Sequence, residues 1–214
     1  LTIIIFFALV NLISVNGMGK IEDLMVYTKV AILLIISGLF LRNGHHIHAF
    51  NSIGPNFSLI NIITVAAITF VAYEGFQLII HAYEEADNPQ KNVPEAIYWA
   101  IGSTTLIYVV LSLGAMMTIP KEILIRDKEF ALAAGASDIL GPIGYGIVII
   151  GALLATSSAI NGTIFGASRL AAVIAKDGIF PKFLAKRSHG HIPHYSIIAI
   201  SLLSYLFILT GGLQ

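Results

Sequence analysis

Six long apolar stretches dominate this 214-residue sequence and limit what it can fold into. Hydrophobic residues make up 57% of the chain and charged residues only 11%, whereas soluble domains are about 25% charged. An α-helix rises about 1.5 Å per residue, so about 20 apolar residues cross the roughly 30 Å hydrocarbon core of a bilayer. The sequence therefore predicts an all-α integral membrane protein with six transmembrane helices, at residues 1–15, 24–41, 59–80, 95–119, 142–175 and 195–210.

The composition predicts a single transmembrane domain over residues 1–214, in a multi-pass protein of the cell membrane that is surrounded by the lipid bilayer. A formal net charge of zero and the lack of a long basic tract argue against a nucleic-acid partner. The absence of cysteine excludes disulfides, cysteine-bound zinc and thiol catalysis. Leu1 opens an apolar run with no methionine or basic region before it, which predicts that the chain is cut from a longer protein.

A carboxylate, Glu74, and the adjacent Gly75 lie inside the third apolar stretch. A charge in hydrocarbon is costly, so such residues usually face a cavity or a functional pathway. Glycine gives the helix a place to open, and Ala72 and Tyr73 are predicted to join Gly75 in an unwound segment whose backbone groups can meet a zwitterion. Phe70 flanks this segment as a candidate apolar gate. The alternative is a structural carboxylate bonded to a neighbouring helix, with Phe70 as a lipid-facing or core aromatic residue.

Lys29 is the second ionisable residue inside a predicted span, about five residues past the start of its apolar stretch. Two interpretations stay open. Its long side chain can extend to the membrane interface with no further role. Alternatively, it is a buried lysine that loads and releases a proton.

The prolines support the division into helices. All seven lie in predicted loops or at helix boundaries. Pro94 is assigned to a first helical turn, where a missing backbone N–H removes no hydrogen bond.

Two histidine tracts, at residues 44–48 and 189–194, resemble metal-binding sequences but lack cysteine or carboxylate companions. They are interpreted as solvated loop histidines, and no metal site is predicted. No nucleophile–base–acid arrangement, phosphate-binding glycine loop or HExxH motif occurs in the sequence. We therefore predict no enzymatic activity and no cofactor.

Two blocks of sequence carry a family pattern. The first reads FVAYEGF at residues 70–76, followed by EE at 84–85, NP at 88–89 and NVPEAI at 92–97. The second reads TSSAINGT at residues 156–163, followed by SR at 168–169 and AKDGIFP at 175–181. These blocks resemble the sixth transmembrane helix with its following loop, and the eighth helix with its cytoplasmic exit, of amino acid permeases. Such permeases belong to the amino acid–polyamine–organocation (APC) superfamily and have the LeuT-type fold.

The resemblance implies a fragment of an inverted-repeat transporter that covers helices four to nine, one of them broken. The first three helices and the C-terminal helices of the parent chain would be the missing partners that complete the pocket. The resemblance also implies that the amino group of the substrate meets carbonyls of the broken sixth helix. The implied substrate site comprises Phe70, Ala72, Tyr73, Glu74 and Gly75.

For coupling, the resemblance implies that Lys29 places an ammonium near small hydroxyls of the eighth helix, among them Ser157 and Ser158. Glu74 is predicted to modulate the affinity for substrate or proton. The resulting hypothesis is amino acid transport by alternating access, coupled to protons as symport. An amino acid or polyamine exchanger of the same fold and a non-transporting amino acid sensor remain as alternatives.

Overall fold

The computed structural model describes residues 2–13, 15–44, 58–187 and 192–211. These residues form helices and turns without any strand, which confirms the all-α prediction. The α-helices are α1 (Thr2–Ile13), α2 (Val15–Asn43), α3 (Leu59–Thr69), α4 (Pro89–Thr118), α5 (Lys121–Asp127), α6 (Ala131–Leu140), α7 (Pro142–Lys176) and α8 (His194–Thr210). Short 3₁₀ helices cover Phe70–Tyr73, Phe76–Glu85, Lys128–Phe130 and Lys182–Ala185.

The six predicted spans correspond to helical regions of the described chain. Four are long and apolar enough to cross a membrane: Gly19–Asn43, Leu59–Ile80, Pro89–Thr118 and Pro142–Lys176. Two shorter apolar helices cover Thr2–Leu12 and His194–Thr210. The side chains of these apolar helices leave much apolar surface exposed, as on α3, which has no buried residue. Such a surface is suited to lipid or to further helices.

The predicted position of Pro94 at a helix start is wrong. Asn88 adopts a left-handed conformation with φ of 46°, and Pro89 follows as the first residue of α4. The Asn92 side chain also donates to the Asp87 carbonyl at 2.5 Å. These features begin the helix five residues early, so Pro94 lies inside it, where it cannot donate a hydrogen bond to the carbonyl of Gln90.

The described residues form two compact units. The first unit lies within Leu1–Tyr27, Gln77–Val93 and Leu154–Gln214. Its apolar core combines side chains of four helices and one loop: Ile4, Phe7, Met25, Ile164, Ile192 and Ile197. The core therefore joins α1, the start of α2, α7 and α8.

The second unit covers Thr28–Phe76 and Pro94–Leu153. Its core is built around the fully buried ring of Phe40 on α2. Thr118, at the end of α4, donates from its hydroxyl to the Phe40 carbonyl at 2.6 Å. A Cβ at Gly114 would lie 3.0 Å from the Phe40 Cβ, so α2 and α4 pack closely here.

Gly144 provides a test of how α6 and α7 pack in this second unit. A Cβ at Gly144 would lie 2.1 Å from the Ala136 carbonyl oxygen, and backbone cannot move aside as a side chain can. We expect Gly144→Ala to lower the free energy of unfolding by about 2 kcal/mol, as overpacking does. Thermal unfolding in detergent measures the change. Gly146→Ala is the control, because nothing lies within 4 Å of a Cβ there. Equal stability of both variants would show that the α6–α7 contact is misplaced.

Candidate functional site

The third apolar stretch breaks where the sequence predicts it. Helix α3 ends at Thr69, and the next four residues tighten into the 3₁₀ turn Phe70–Tyr73. Glu74 then has ψ of 138°, which is extended, and Gly75 has φ of 120°. A second 3₁₀ segment starts at Phe76. The helical hydrogen-bond ladder is therefore interrupted at Glu74 and Gly75, within a span of 22 residues.

Two local features explain the end of α3. The Thr69 hydroxyl donates to the Val65 carbonyl at 2.7 Å, and such back-bonding slightly destabilises and bends a helix. Gly75 supplies the positive φ that side-chain-bearing residues rarely adopt. No atom lies within 4 Å of a Cβ built on Gly75, so conformation and not space requires glycine there.

Tyr108 on α4 contacts the broken segment. Its hydroxyl donates to the Ala72 carbonyl at 2.9 Å, and its ring meets the Tyr73 ring edge-to-face with centroids 5.4 Å apart. Phe70 is 65% exposed, and Glu74 is exposed as well. Tyr108 thus contacts both Ala72 and Tyr73, and the sequence analysis missed this tyrosine.

Tyr108→Phe should weaken this contact without removing the ring. We expect a loss of about 0.5–1.5 kcal/mol in the free energy of unfolding, because one hydrogen bond disappears. Tyr98→Phe on the same helix is the matched control, since Tyr98 is 76% exposed. Thermal unfolding of both variants gives the comparison. An unchanged midpoint for Tyr108→Phe would argue against the bond to Ala72.

A second polar cluster lies within the first unit and joins three helices. Glu22 of α2 accepts hydrogen bonds from Ser158 and Asn161 of α7, the latter at 2.7 Å. Asn161 in turn accepts from Asn11 of α1 at 2.9 Å, and Asn11 also donates to the Phe7 carbonyl at 2.8 Å. Asn11, Ser158 and Asn161 are buried, and Asn161 is fully so. Buried polar groups require such partners in an apolar surrounding.

Ser158 is the one member of this cluster that the sequence analysis proposed as a site residue. Glu22 was missed because it precedes the predicted apolar stretch by two residues, whereas the helix itself begins at Val15. The available signal was the amide or carboxylate side chains of Asn11, Glu22 and Asn161 in three largely apolar helices.

Lys29 is half-buried near the middle of its span. In the span Gly19–Asn43 it lies ten residues from one end and fourteen from the other, or about 15 Å and about 21 Å along the axis. This position is deeper than the sequence predicted. Lys29 belongs to the second unit and Ser157 and Ser158 to the first, so their predicted grouping stays a prediction.

Among the described residues, no group of three or more histidine, cysteine, aspartate or glutamate side chains is placed to hold a metal ion. The tract at 44–48 lies outside the described residues from His45 onward. In the second tract, residues 189–191 lie outside them, and the His194 ring Nδ1 lies 3.0 Å from the Ile192 carbonyl.

Comparison with known proteins identifies the family of the chain. The sequence profile of the amino acid permease family matches residues 1–213, almost the entire chain. The chain belongs to the amino acid permease family. This confirms the resemblance found in the two motif blocks. The permease is a multi-pass membrane protein, as its apolar helices indicate.

Three relatives show how far the likeness extends. The inner membrane transport protein YbaT of Escherichia coli (strain K12) is 36% identical to the permease over 207 residues, covering 95% of this chain and 47% of YbaT. The methylthioribose transporter of Bacillus subtilis (strain 168) is 29% identical, covering 81% of this chain and 37% of its own length. The b(0,+)-type amino acid transporter 1 of Mus musculus is 27% identical, with coverage of 99% and 44%. The chain thus spans less than half the length of these relatives.

Proposed function

We propose that the full-length protein carries amino acids across the membrane by alternating access and couples this movement to protons. The observation that carries the proposal is the break at Glu74 and Gly75 inside a membrane-length helix of an amino acid permease. Non-helical backbone at membrane depth is tolerated only against protein or a water-filled cavity. Broken helices of this kind form substrate sites in many transporters.

Electrostatics explain why the break suits an amino acid. The end of α3 at Thr69 carries the negative partial charge of a helix C-terminus, which favours a cation. The substrate ammonium therefore binds near the carbonyls of Phe70, Ala72 and Tyr73. Glu74 places a carboxyl group beside them, which attracts the ammonium. Gly75 provides the backbone turn that keeps these carbonyls out of a regular helix.

Proton coupling is assigned to Lys29, and the family resemblance adds Glu74, Ser157 and Ser158 as candidate coupling residues. Support comes from the depth of Lys29, because ionisable residues at such depth usually mark substrate or proton pathways. Release of the Lys29 proton to the inside removes a charge from the span and weakens the conformation that this charge stabilises.

The test is uptake of labelled amino acids into proteoliposomes that contain the full-length protein. With one proton per substrate, a gradient of one pH unit supports at most about tenfold accumulation. We expect accumulation inside when the outside is more acidic, and none without the gradient. Uptake that requires an amino acid inside, with no response to pH, would instead identify an exchanger.

Two controls address the remaining alternatives. Methylthioribose replaces the amino acid in a parallel assay, because one relative is named for that substrate. Binding of labelled amino acid without any flux would identify a sensor. Uptake of methylthioribose in place of amino acids, or amino acid binding without flux, would overturn the proposed transport of amino acids.

A further inference from the structure

The polar cluster of Glu22, Asn11, Ser158 and Asn161 shares no residue with the proposed substrate site, and Glu22 itself is partly buried. We propose that Glu22 is a proton-binding site of the transport cycle and that the proton binds at its oxygen Oε1. The cycle itself rests on the proposed function, whereas proton binding by Glu22 can be measured independently of transport.

A chain of hydrogen bonds runs from Asn11 through Asn161 to Glu22. Asn11 donates to the amide oxygen of Asn161 at 2.9 Å, which fixes the orientation of the Asn161 amide. The amide nitrogen of Asn161 must then donate, and it does so to Glu22 Oε2 at 2.7 Å. Ser158 donates from Oγ to Oε1. Both oxygens of Glu22 therefore accept hydrogen bonds, which is the arrangement of an ionised carboxylate.

The two oxygens differ in their capacity to take a proton. A proton on Oε2 would face the N–H of Asn161, and the Asn161 amide cannot turn without losing its bond from Asn11. A proton on Oε1 faces a hydroxyl, which can accept as well as donate. The Glu22 O–H then donates to Ser158 Oγ, and the Ser158 hydroxyl rotates toward the Leu154 carbonyl one turn earlier on α7. Protonation thus reverses one hydrogen bond and keeps the other.

The three helices of the cluster place their other charged side chains as follows. Helix α1 carries no ionisable side chain. On α7 the charged residues of the first unit are Arg169 and Lys176, eight and fifteen residues beyond Asn161, or about 12 Å and about 22 Å along the helix. On α2 the flanking charges are Lys20 and Asp23, both exposed, and Lys29 two turns further on.

Infrared difference spectroscopy on the full-length protein tests proton binding directly. Acidification should produce the carbonyl stretch of a protonated carboxylic acid, and Glu22→Gln should lack this component. Asp23→Asn is the matched control, because it removes a neighbouring exposed carboxylate and should keep the component. Ser158→Ala should keep it but shift it toward a weaker hydrogen bond. Equal spectra for wild type and Glu22→Gln would overturn the proposal, as would a Ser158→Ala spectrum identical to wild type.

Transport then tests whether this proton belongs to the cycle. Glutamine imitates the protonated acid, so Glu22→Gln should lower gradient-driven accumulation from about tenfold to about onefold while amino acid exchange without a gradient persists. Undiminished accumulation in Glu22→Gln would overturn the coupling role. A wild-type protein that fails to accumulate amino acids overturns the proposed function instead, and the spectra still decide whether Glu22 binds a proton. If Glu22→Gln does not fold, Glu22→Asp replaces it, and a pH response unchanged from wild type would contradict the proposal.

Discussion

Gly75→Ala is expected to reduce amino acid uptake about fivefold or more. Gly75 has φ of 120°, a conformation that residues with a side chain rarely adopt. Because no atom lies within 4 Å of the added Cβ, the cost is backbone strain alone, about 1–3 kcal/mol. Every 1.4 kcal/mol lowers the population of the broken conformation about tenfold relative to a straight helix. Initial rates of labelled uptake into proteoliposomes, per amount of protein, measure the effect.

Gly102→Ala separates backbone strain from the simple addition of a methyl group. Gly102 lies inside α4, and nothing lies within 4 Å of a Cβ there either. Alanine is favoured over glycine in a helix by up to about 1 kcal/mol, so this variant should transport normally and unfold at an equal or higher temperature. If Gly75→Ala transports as well as Gly102→Ala, the positive φ is not needed for function.

The break itself could be predicted from the sequence because its causes are local. A carboxylate beside a glycine inside an apolar stretch conflicts with a continuous lipid-facing helix, and the chain opens at those two residues. The contact with Tyr108 could not be predicted in this way. Thirty-six residues separate Tyr108 from Ala72, and only the packing of α4 brings the hydroxyl to that carbonyl.

The Glu22 cluster could not be predicted from the sequence for a different reason. Apolar windows place the start of the second span at residue 24, because Lys20, Glu22 and Asp23 lower the local hydrophobicity. The helix begins at Val15 nevertheless, because tertiary packing contributes more to helix stability than local hydropathy does. Glu22 is then satisfied by partners more than 130 residues away in the chain, which no local pattern reveals.

Pro94 demonstrates that a strong local signal can also mislead. Proline favours helix starts, yet the left-handed Asn88 and the proline after it begin α4 earlier. Pro89 and Pro94 both suit the first turn of a helix, and the helix begins at Pro89. The second is tolerated inside the helix at the loss of one backbone hydrogen bond.

Lys29→Ala is expected to abolish proton-driven accumulation of amino acids. The side chain lies about 15 Å from the nearer end of its span, so removing the ammonium removes a titratable charge from deep inside the membrane region. The accumulation ratio under a gradient of one pH unit should fall from about tenfold to about onefold. Exchange of labelled for unlabelled amino acid without a gradient should continue, because the substitution does not change the break at Glu74 and Gly75. Proteoliposome uptake with and without the gradient measures both quantities.

Lys20→Ala is the matched control for Lys29→Ala. Lys20 lies on the same helix nine residues earlier and is exposed, so its loss removes an equal charge from close to the end of the span. Accumulation should stay near the wild-type ratio in this variant.

Glu22→Gln and Lys29→Ala can give the same loss of accumulation if one proton binds to both groups in turn. The infrared spectra separate them, because Lys29→Ala keeps the carboxylic acid component of Glu22 and Glu22→Gln does not. Undiminished accumulation in Lys29→Ala would assign Lys29 to a side chain that merely extends to the interface, and would leave Glu22 as the coupling group to be tested.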